Sequence, residues 1–313
     1  MKLRPVKPFE PIMTNIIPSG KRLIAQIKWD GVRMLVYHDS EGTELINRKG
    51  NNRTRQYPEL MDTAAYCRAD SFILDGEIIA LVDGVPSFHQ VMKRDSLRQE
   101  QQIRARVQQV PIVYMVFDIL YLNGESVTNK PLHERQALLA KVLIPSPLVQ
   151  SVPSYPDIPL LHEVSKQHQL EGIVVKDLDS AYAVGGKDKR WQKRKNILDL
   201  NAVVGGVTYR DGLVNALLLG LYDEEGKLIY IGHAGTGKLA VADWRRITEK
   251  ATTMQQKDRP FANPSERQKG AVWIRPEWVV KVNFLEWTPG GTLRQPSIQA
   301  FVDSAPEDCK LDQ

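Results

Sequence analysis

At 313 residues the chain is long enough for two domains or one large one. Its 42% hydrophobic and 25% charged residues can bury a sizeable core without disulfide or metal staples, and no apolar run reaches the ~18 residues of a membrane-spanning helix. A net charge of +5 admits a polyanionic partner such as nucleic acid without requiring one. Cys67 and Cys309 make no CxxC or His/Cys metal spacing, which fits a reduced, cytoplasmic setting. The opening stretch MKLRPVKPFEPIM breaks its apolar residues with prolines and charges, so it reads poorly as a signal peptide.

In chain order, apolar runs at 22–28, 33–37, 72–80, 112–118 and 172–176 predict strands. Between them, 88–109 and 131–144 have helical composition, and Pro131 suits a helix start. Residues 1–200 therefore read as an α+β domain on an antiparallel sheet. After Trp191 the character changes. Short strands divided by DG, EEG and GTG turns, with a helical patch at 238–256, outline a small β-barrel of OB-fold type over residues 201–313. The boundary falls near 196–202, behind the basic run KDKRWQKRK. No repeat of about 20–50 residues marks a solenoid or propeller.

The segment carrying the most chemical information is Lys28-Trp29-Asp30-Gly31-Val32-Arg33. A lysine closing an apolar strand before an Asp-Gly turn puts an amine at the mouth of a pocket. It is either a nucleophile, whose amine must shed its proton, or the cap of a hairpin. Further acids and lysines follow. Asp75-Gly76-Glu77 sits inside an apolar strand, where an unpaired carboxylate is costly. Glu171 leads a strand that Lys176 ends, and Lys193 and Lys195 alternate, so on a strand they share a face. Glu77 and Glu171 are oxygen donors suited to a ribose hydroxyl and Mg²⁺, while Arg33 and the lysines can neutralise a triphosphate.

In this order the residues resemble the covalent nucleotidyltransferase superfamily of ATP-dependent DNA ligases, RNA ligases and mRNA capping enzymes. Lys28 to Arg33 match the nucleophile motif KxDGxR, Asn47-Arg48-Lys49-Gly50 the arginine motif, and Asp75-Gly76-Glu77 the third motif. Phe117 to Tyr121 match the aromatic strand, Glu171 to Lys176 the fourth motif, and Trp191 to Lys195 the fifth. Within the superfamily the sequence is similar to the ligase domain of bacterial ligase D and related stand-alone repair ligases. That likeness runs on through Leu217–Asp223, Gly235-Thr236-Gly237, Phe284–Thr288 and Leu293–Pro296.

The resemblance implies an ATP-dependent DNA ligase that seals 5′-phosphate/3′-hydroxyl nicks through AMP held covalently on Lys28. It implies Mg²⁺ as cofactor, with Mn²⁺ able to substitute. Glu77 holds the ribose and, with Glu171, the metal, and Phe117 stacks on adenine. Gln26 and Ile27 line the nucleotide, Arg33 and Arg48 contact sugar or phosphate oxygens, and Lys176, Lys193 and Lys195 neutralise phosphate. Arg294 acts in catalysis from the second domain by orienting pyrophosphate. The implied partners are nicked duplex DNA and end-joining or other repair proteins, with no membrane, for a monomer working on nucleoid DNA. Because Lys28 comes so early, no separate N-terminal DNA-binding domain is expected. The chain then grips DNA weakly and with marked salt dependence.

Two positions depart from the family pattern. Gln26 stands where an acid commonly reads the adenine amino group, and its amide can donate as well as accept. The tail after Pro296 lacks the usual basic residues. GHAGTGK at 232–238 nearly spells a P-loop but has Leu239 for the hydroxyl residue and no parallel-sheet setting, so it reads as a turn. The six histidines form no zinc spacing, and Trp273, Trp278 and Trp287 are expected in the barrel core. Two alternatives stay open: an RNA ligase or capping-type nucleotidyltransferase, and a non-catalytic OB-fold nucleic-acid-binding protein.

Overall fold

The computed structural model describes residues 2–235, 237–263 and 270–312; Thr236, part of the Gly235–Gly237 likeness, lies outside them. The chain divides into two compact units, Met1–Asn196 and Ile197–Gln313.

Unit 1 is built on two sheets. The larger runs in the order Val149–Ser151, Val113–Leu122, Phe72–Ile79, Val32–Asp39, Gly42–Asn47, with Glu125–Ser126 added beside Val113–Leu122. The smaller runs Glu10–Met13, Lys187–Lys195, Gly172–Asp177, Leu23–Ile27. Pairing is antiparallel except at Glu10–Met13 with Lys187–Lys195 and at Val149–Ser151 with Val113–Leu122, which run parallel. Each of these otherwise antiparallel sheets thus carries one parallel edge, made by a short strand without strong β-composition.

Period-two alternation assigns the faces. Met34 and Val36 enter one core with Leu74, Tyr114 and Val116, whereas Leu35 and Tyr37 enter another with Ile73, Phe9 and Trp191. Trp191 belongs to the smaller sheet and Leu35 to the larger, so this second core lies between the two sheets. On the outer side of the smaller sheet, Ile173 and Val175 meet Ile158 and Leu161 of the helix Ile158–Gln167. That helix starts where the Asp157 carboxylate accepts the Leu160 N–H at 3.0 Å.

The helix expected over 88–109 is instead two, Phe88–Asp95 and Glu100–Gln109. The Ser96 hydroxyl donates to Met92 O in the last turn of the first, and Gln56 Nε2 donates to Leu97 O at 2.8 Å. The Leu97 carbonyl, which a continuous helix would offer to the residue four on, is thus taken by Gln56.

Unit 2 is a five-stranded antiparallel sheet in the order Leu228–Ala234, Leu213–Tyr222, Leu198–Arg210, Val272–Phe284, Ser297–Phe301. The helix Val241–Thr253 packs on Leu213–Tyr222, and its start is fixed by Asp243 accepting the Ala240 N–H. The two sheet edges approach each other through single backbone bonds. Leu293 N–H donates to Ile231 O at 2.7 Å and Lys238 N–H to Ile298 O at 2.8 Å, which curls the sheet towards a barrel. Trp273 and Trp278 lie partly buried against this core as expected, but Trp287 does not: it is 40% exposed and touches Phe284 only edge-on. It sits in the loop that turns back at Gly291, outside the barrel strands.

Candidate active site

Lys28 follows directly on the strand Leu23–Ile27. Its backbone N–H donates to Gly172 O at 2.9 Å, tying the Lys28 turn to the strand that Gly172 begins. Only glycine fits at two points of this corner. A Cβ on Gly31 would lie 2.2 Å from Ile78 O, and one on Gly172, whose φ is +146°, would lie 2.1 Å from Arg194 O. The motif glycines therefore let the Lys28 turn lie against the larger sheet and the Glu171 corner against Lys187–Lys195.

These close approaches gather the charges. The Lys28 ammonium lies 2.6 Å from Glu171 Oε2, and Lys195 Nζ lies 3.5 Å from Glu171 Oε1. The Glu171 and Lys195 side chains are nearly buried, while that of Lys28 keeps 22% exposure. Lys193 stands opposite Val174, which stands opposite Gln26, so the three share a row on one face of the smaller sheet. Burial pulls the Lys193 amine down to about 8, and the positive charge of Lys28 adds to that.

From the larger sheet come Arg33 and Glu77, directly opposed across neighbouring strands. Burial pushes the Glu77 carboxyl up to about 7 against the pull of Lys28 and Arg33, with Glu171 raising it further. Among the described residues no group of three or more His, Cys, Asp or Glu stands together to cage a metal. Two carboxylates completed by substrate phosphates and water are what Mg²⁺ ordinarily takes, so this donor set fits that ion.

Three residues have settings other than those expected. Arg33 forms a two-pronged pair with Asp75 at 2.9 and 2.6 Å and donates to Phe9 O at 2.7 Å. Burial works against its charge, but Asp75 outweighs that and holds the guanidinium protonated. It stands as a largely buried strut between Asp75 and Phe9. Lys176 is 2% exposed, with Nζ 4.0 Å from the Trp191 ring centre and 4.4 Å from that of Phe117. Burial brings its amine down to about 7, against Asp118 and Asp75, and Nζ has no hydrogen-bond partner. It lies against the rings of Trp191 and Phe117. Ile27 packs with the core under the helix Ile158–Gln167, so alternation leaves only its backbone on the Lys28 side.

The remaining candidates are more open. Arg48 is 54% exposed in its side chain, with Glu10 3.9 Å away. Phe117 is partly buried and meets Trp191 edge-on at 5.9 Å. Gln26 is 2% exposed, and its Nε2 donates to Val152 O at 3.2 Å and Ser154 Oγ at 3.1 Å. A carbonyl can only accept, so Val152 fixes which end of the amide is NH₂, and Oε1 is left as the acceptor. Arg294, in unit 2, pairs with Glu286 at 2.6 Å, and both are well exposed.

Sequence reading missed the groups that hold this site. Asp75, taken there as a costly carboxylate, is satisfied by Arg33 and by the Tyr182 hydroxyl at 2.8 Å. Asp118 is paired with Arg135, both 0% exposed. An acid inside an apolar strand signals that a cation is coming, but nothing in the sequence says which one.

The chain is similar to known proteins over most of its length. Residues 1–195 match the ATP dependent DNA ligase domain and residues 210–303 the ATP dependent DNA ligase C terminal region. The chain is 30% identical over 277 residues to the multifunctional non-homologous end joining DNA repair protein LigD of Mycobacterium tuberculosis, covering 86% of this chain and 35% of that protein. It is 28% identical over 334 residues to a DNA ligase of Methanothermobacter thermautotrophicus, covering 97% of this chain and 57% of that one. The chain thus spans about a third of the mycobacterial relative and little more than half of the archaeal one. Among solved structures, mycobacterial DNA ligase D complexed with ATP and MES superposes with a TM-score of 0.71 at 28% identity over 97% of each chain. The two units accordingly are a nucleotidyltransferase domain and an OB-fold domain. The chain belongs to the family of ATP-dependent DNA ligases.

Proposed function

We propose that this chain seals 5′-phosphate/3′-hydroxyl nicks in duplex DNA by way of a lysyl-AMP enzyme. The observation that carries the reading is the contact of Lys28 with Glu171, flanked by Lys195 and Lys193, within the ligase-family domain. The Lys28 amine attacks the α-phosphorus of ATP, an N–P bond forms, and pyrophosphate departs. The AMP then passes to the 5′-phosphate of the nick, regenerating the free amine, and the 3′-hydroxyl displaces AMP to close the backbone.

In the first step the amine must give up its proton to attack, and Glu171 is the carboxylate within hydrogen-bond reach. Lys193 and Lys195 offset the charge that builds on the α-phosphate. Glu77 accepts from the ribose, Phe117 stacks on the base, Gln26 accepts from the adenine amino group, and Arg48 meets phosphate or sugar oxygens. Arg294 orients the pyrophosphate. Glu171 and Glu77 would hold a Mg²⁺ ion, which would supply Lewis-acid stabilisation of the phosphates. The partners proposed are nicked DNA and end-joining repair proteins, with the chain acting as a monomer in the cytoplasm.

The test is incubation with labelled ATP or GTP and Mg²⁺, followed by nicked DNA or nicked RNA. Label on the protein from ATP, chased into sealed DNA, supports the reading. Labelling by GTP alone, or sealing of RNA alone, overturns it in favour of a capping-type enzyme or an RNA ligase.

A further inference from the structure

The last residue of unit 1, Asn196, has a role that no catalytic motif assigns to it. Its backbone N–H donates to Glu171 O at 2.8 Å. Its side-chain Nδ2 donates to Leu170 O at 2.9 Å and to Ser165 Oγ at 2.9 Å. One residue therefore grips two successive carbonyls, those of Leu170 and Glu171. The direction of the amide is settled by its partners, since Leu170 O can only accept and Ser165 Oγ already donates to His162 O at 2.7 Å.

On the other side of Glu171, Gly172 leaves no room to shift. Its Cα hydrogen faces Arg194 O, and its own carbonyl takes the Lys28 N–H. Glu171 is thus held from behind by Asn196 and from in front by the Lys28 turn, with a left-handed glycine between them. The side chain that results is the one touching both Lys28 and Lys195. Ser165 is in turn fixed to this corner through the Leu170 N–H, which donates to Ser165 O at 2.8 Å.

We propose that Asn196 is the positioning residue for the Glu171 carboxylate: its amide sets the backbone at 170–171, and through it the place of that carboxylate beside Lys28 and the nucleotide-bound metal. The inference rests on the role of Glu171 proposed above. Because Asn196 is joined directly to Ile197, the same clamp also fixes where the connection to unit 2 begins.

The experiment compares wild type with Asn196→Ala and with the near-isosteric Asn196→Asp, which cannot donate. Two quantities are read: the Mg²⁺ concentration for half-maximal lysyl-AMP formation, and Mn²⁺ binding by electron paramagnetic resonance with α,β-methylene-ATP present. Loss of a group that orients a metal-binding carboxylate typically costs 10- to 100-fold, so both variants should need about tenfold more metal in each measurement. A merely structural Asn196 lowers the melting temperature but leaves both metal dependences at their wild-type values, and that result overturns the proposal. Ser165→Ala keeps the Leu170 bond and should shift metal dependence less than Asn196→Ala; an equal or larger shift also counts against it. If wild type itself takes no label from ATP, the proposed function has failed, not the role of Asn196.

Discussion

Lys28 and Glu171 meet at 2.6 Å although 143 residues separate them, and each reaches that point through a backbone contact that only glycine allows. Gly31 lets the Lys28 turn press on Ile78, and Gly172 lets the Glu171 corner press on Arg194. Replacing Gly172 with Ala places a Cβ against Arg194 O at a φ of +146°. That should abolish lysyl-AMP formation, by displacing Glu171, at a stability cost of about 1–3 kcal/mol. A Gly172→Ala protein that labels at the wild-type rate contradicts this account of the corner.

Arg33 and Arg48 should separate into a structural and a ligand-binding arginine. Arg33→Ala strands Asp75 in a site where it is 0% exposed, and losing one partner of a buried pair costs about 3–5 kcal/mol. Arg48 is half exposed and meets Glu10 at the edge of ion-pair range. Arg48→Ala should melt within about 0.5 kcal/mol of wild type while raising the KM for ATP. Chemical denaturation of the two variants side by side decides it, and equal stability of both contradicts the strut assigned to Arg33.

Glu77 gives the protein a pH dependence of definite sign. The folded carboxyl titrates at about 7, against 4.5 for an unperturbed glutamate. Between those values the folded chain binds more protons than the unfolded one, so stability falls as pH rises and levels off above about 7. The whole effect is at most about 3 kcal/mol. Glu77→Gln removes it. In EDTA and without nucleotide, the melting temperature of Glu77→Gln should gain on wild type from pH 5 to pH 7 and run parallel above. Parallel curves throughout would remove burial as the dominant influence on this group.

Gln26 should select ATP despite being an amide. Val152 O and Ser154 Oγ take its NH₂, and Ser154 is itself held by Gln136 Nε2 at 2.9 Å, so Oε1 is left as the acceptor. An adenine amino group satisfies that oxygen and a guanine carbonyl does not. Gln26→Glu should keep the preference for ATP over GTP in enzyme labelling. Ser154→Ala, which frees one amide hydrogen, should narrow it by about tenfold, the worth of one neutral hydrogen bond. Equal labelling of wild type by ATP and GTP contradicts the fixed amide.

What was legible in the sequence followed from short-range rules. Alternation placed Lys193 and Lys195 on one face, and the β-branched runs marked the strands that carry Arg33, Glu77 and Phe117. The supports were not legible, because they are long-range. Nothing local to Asp75 names Tyr182, 107 residues away, and nothing near Lys176 announces that Trp191 and Phe117 will enclose it. The strand Glu10–Met13 was missed as well, since EPIM has neither alternation nor β-composition and is held by its parallel neighbour. For Ile27, alternation was the local signal for its side chain, which packs into the core under the helix Ile158–Gln167.

The central claim is that Lys28 carries AMP, and one measurement tests it most directly. Wild type and Lys28→Ala are incubated with α-labelled ATP and Mg²⁺, and the labelled protein is digested and mapped. The account predicts one acid-labile, hydroxylamine-sensitive adducted peptide containing Lys28, and no covalent label on Lys28→Ala although its circular dichroism and melting match wild type. Covalent AMP on a folded Lys28→Ala protein, or an adduct mapping to any other residue of the wild type, contradicts it.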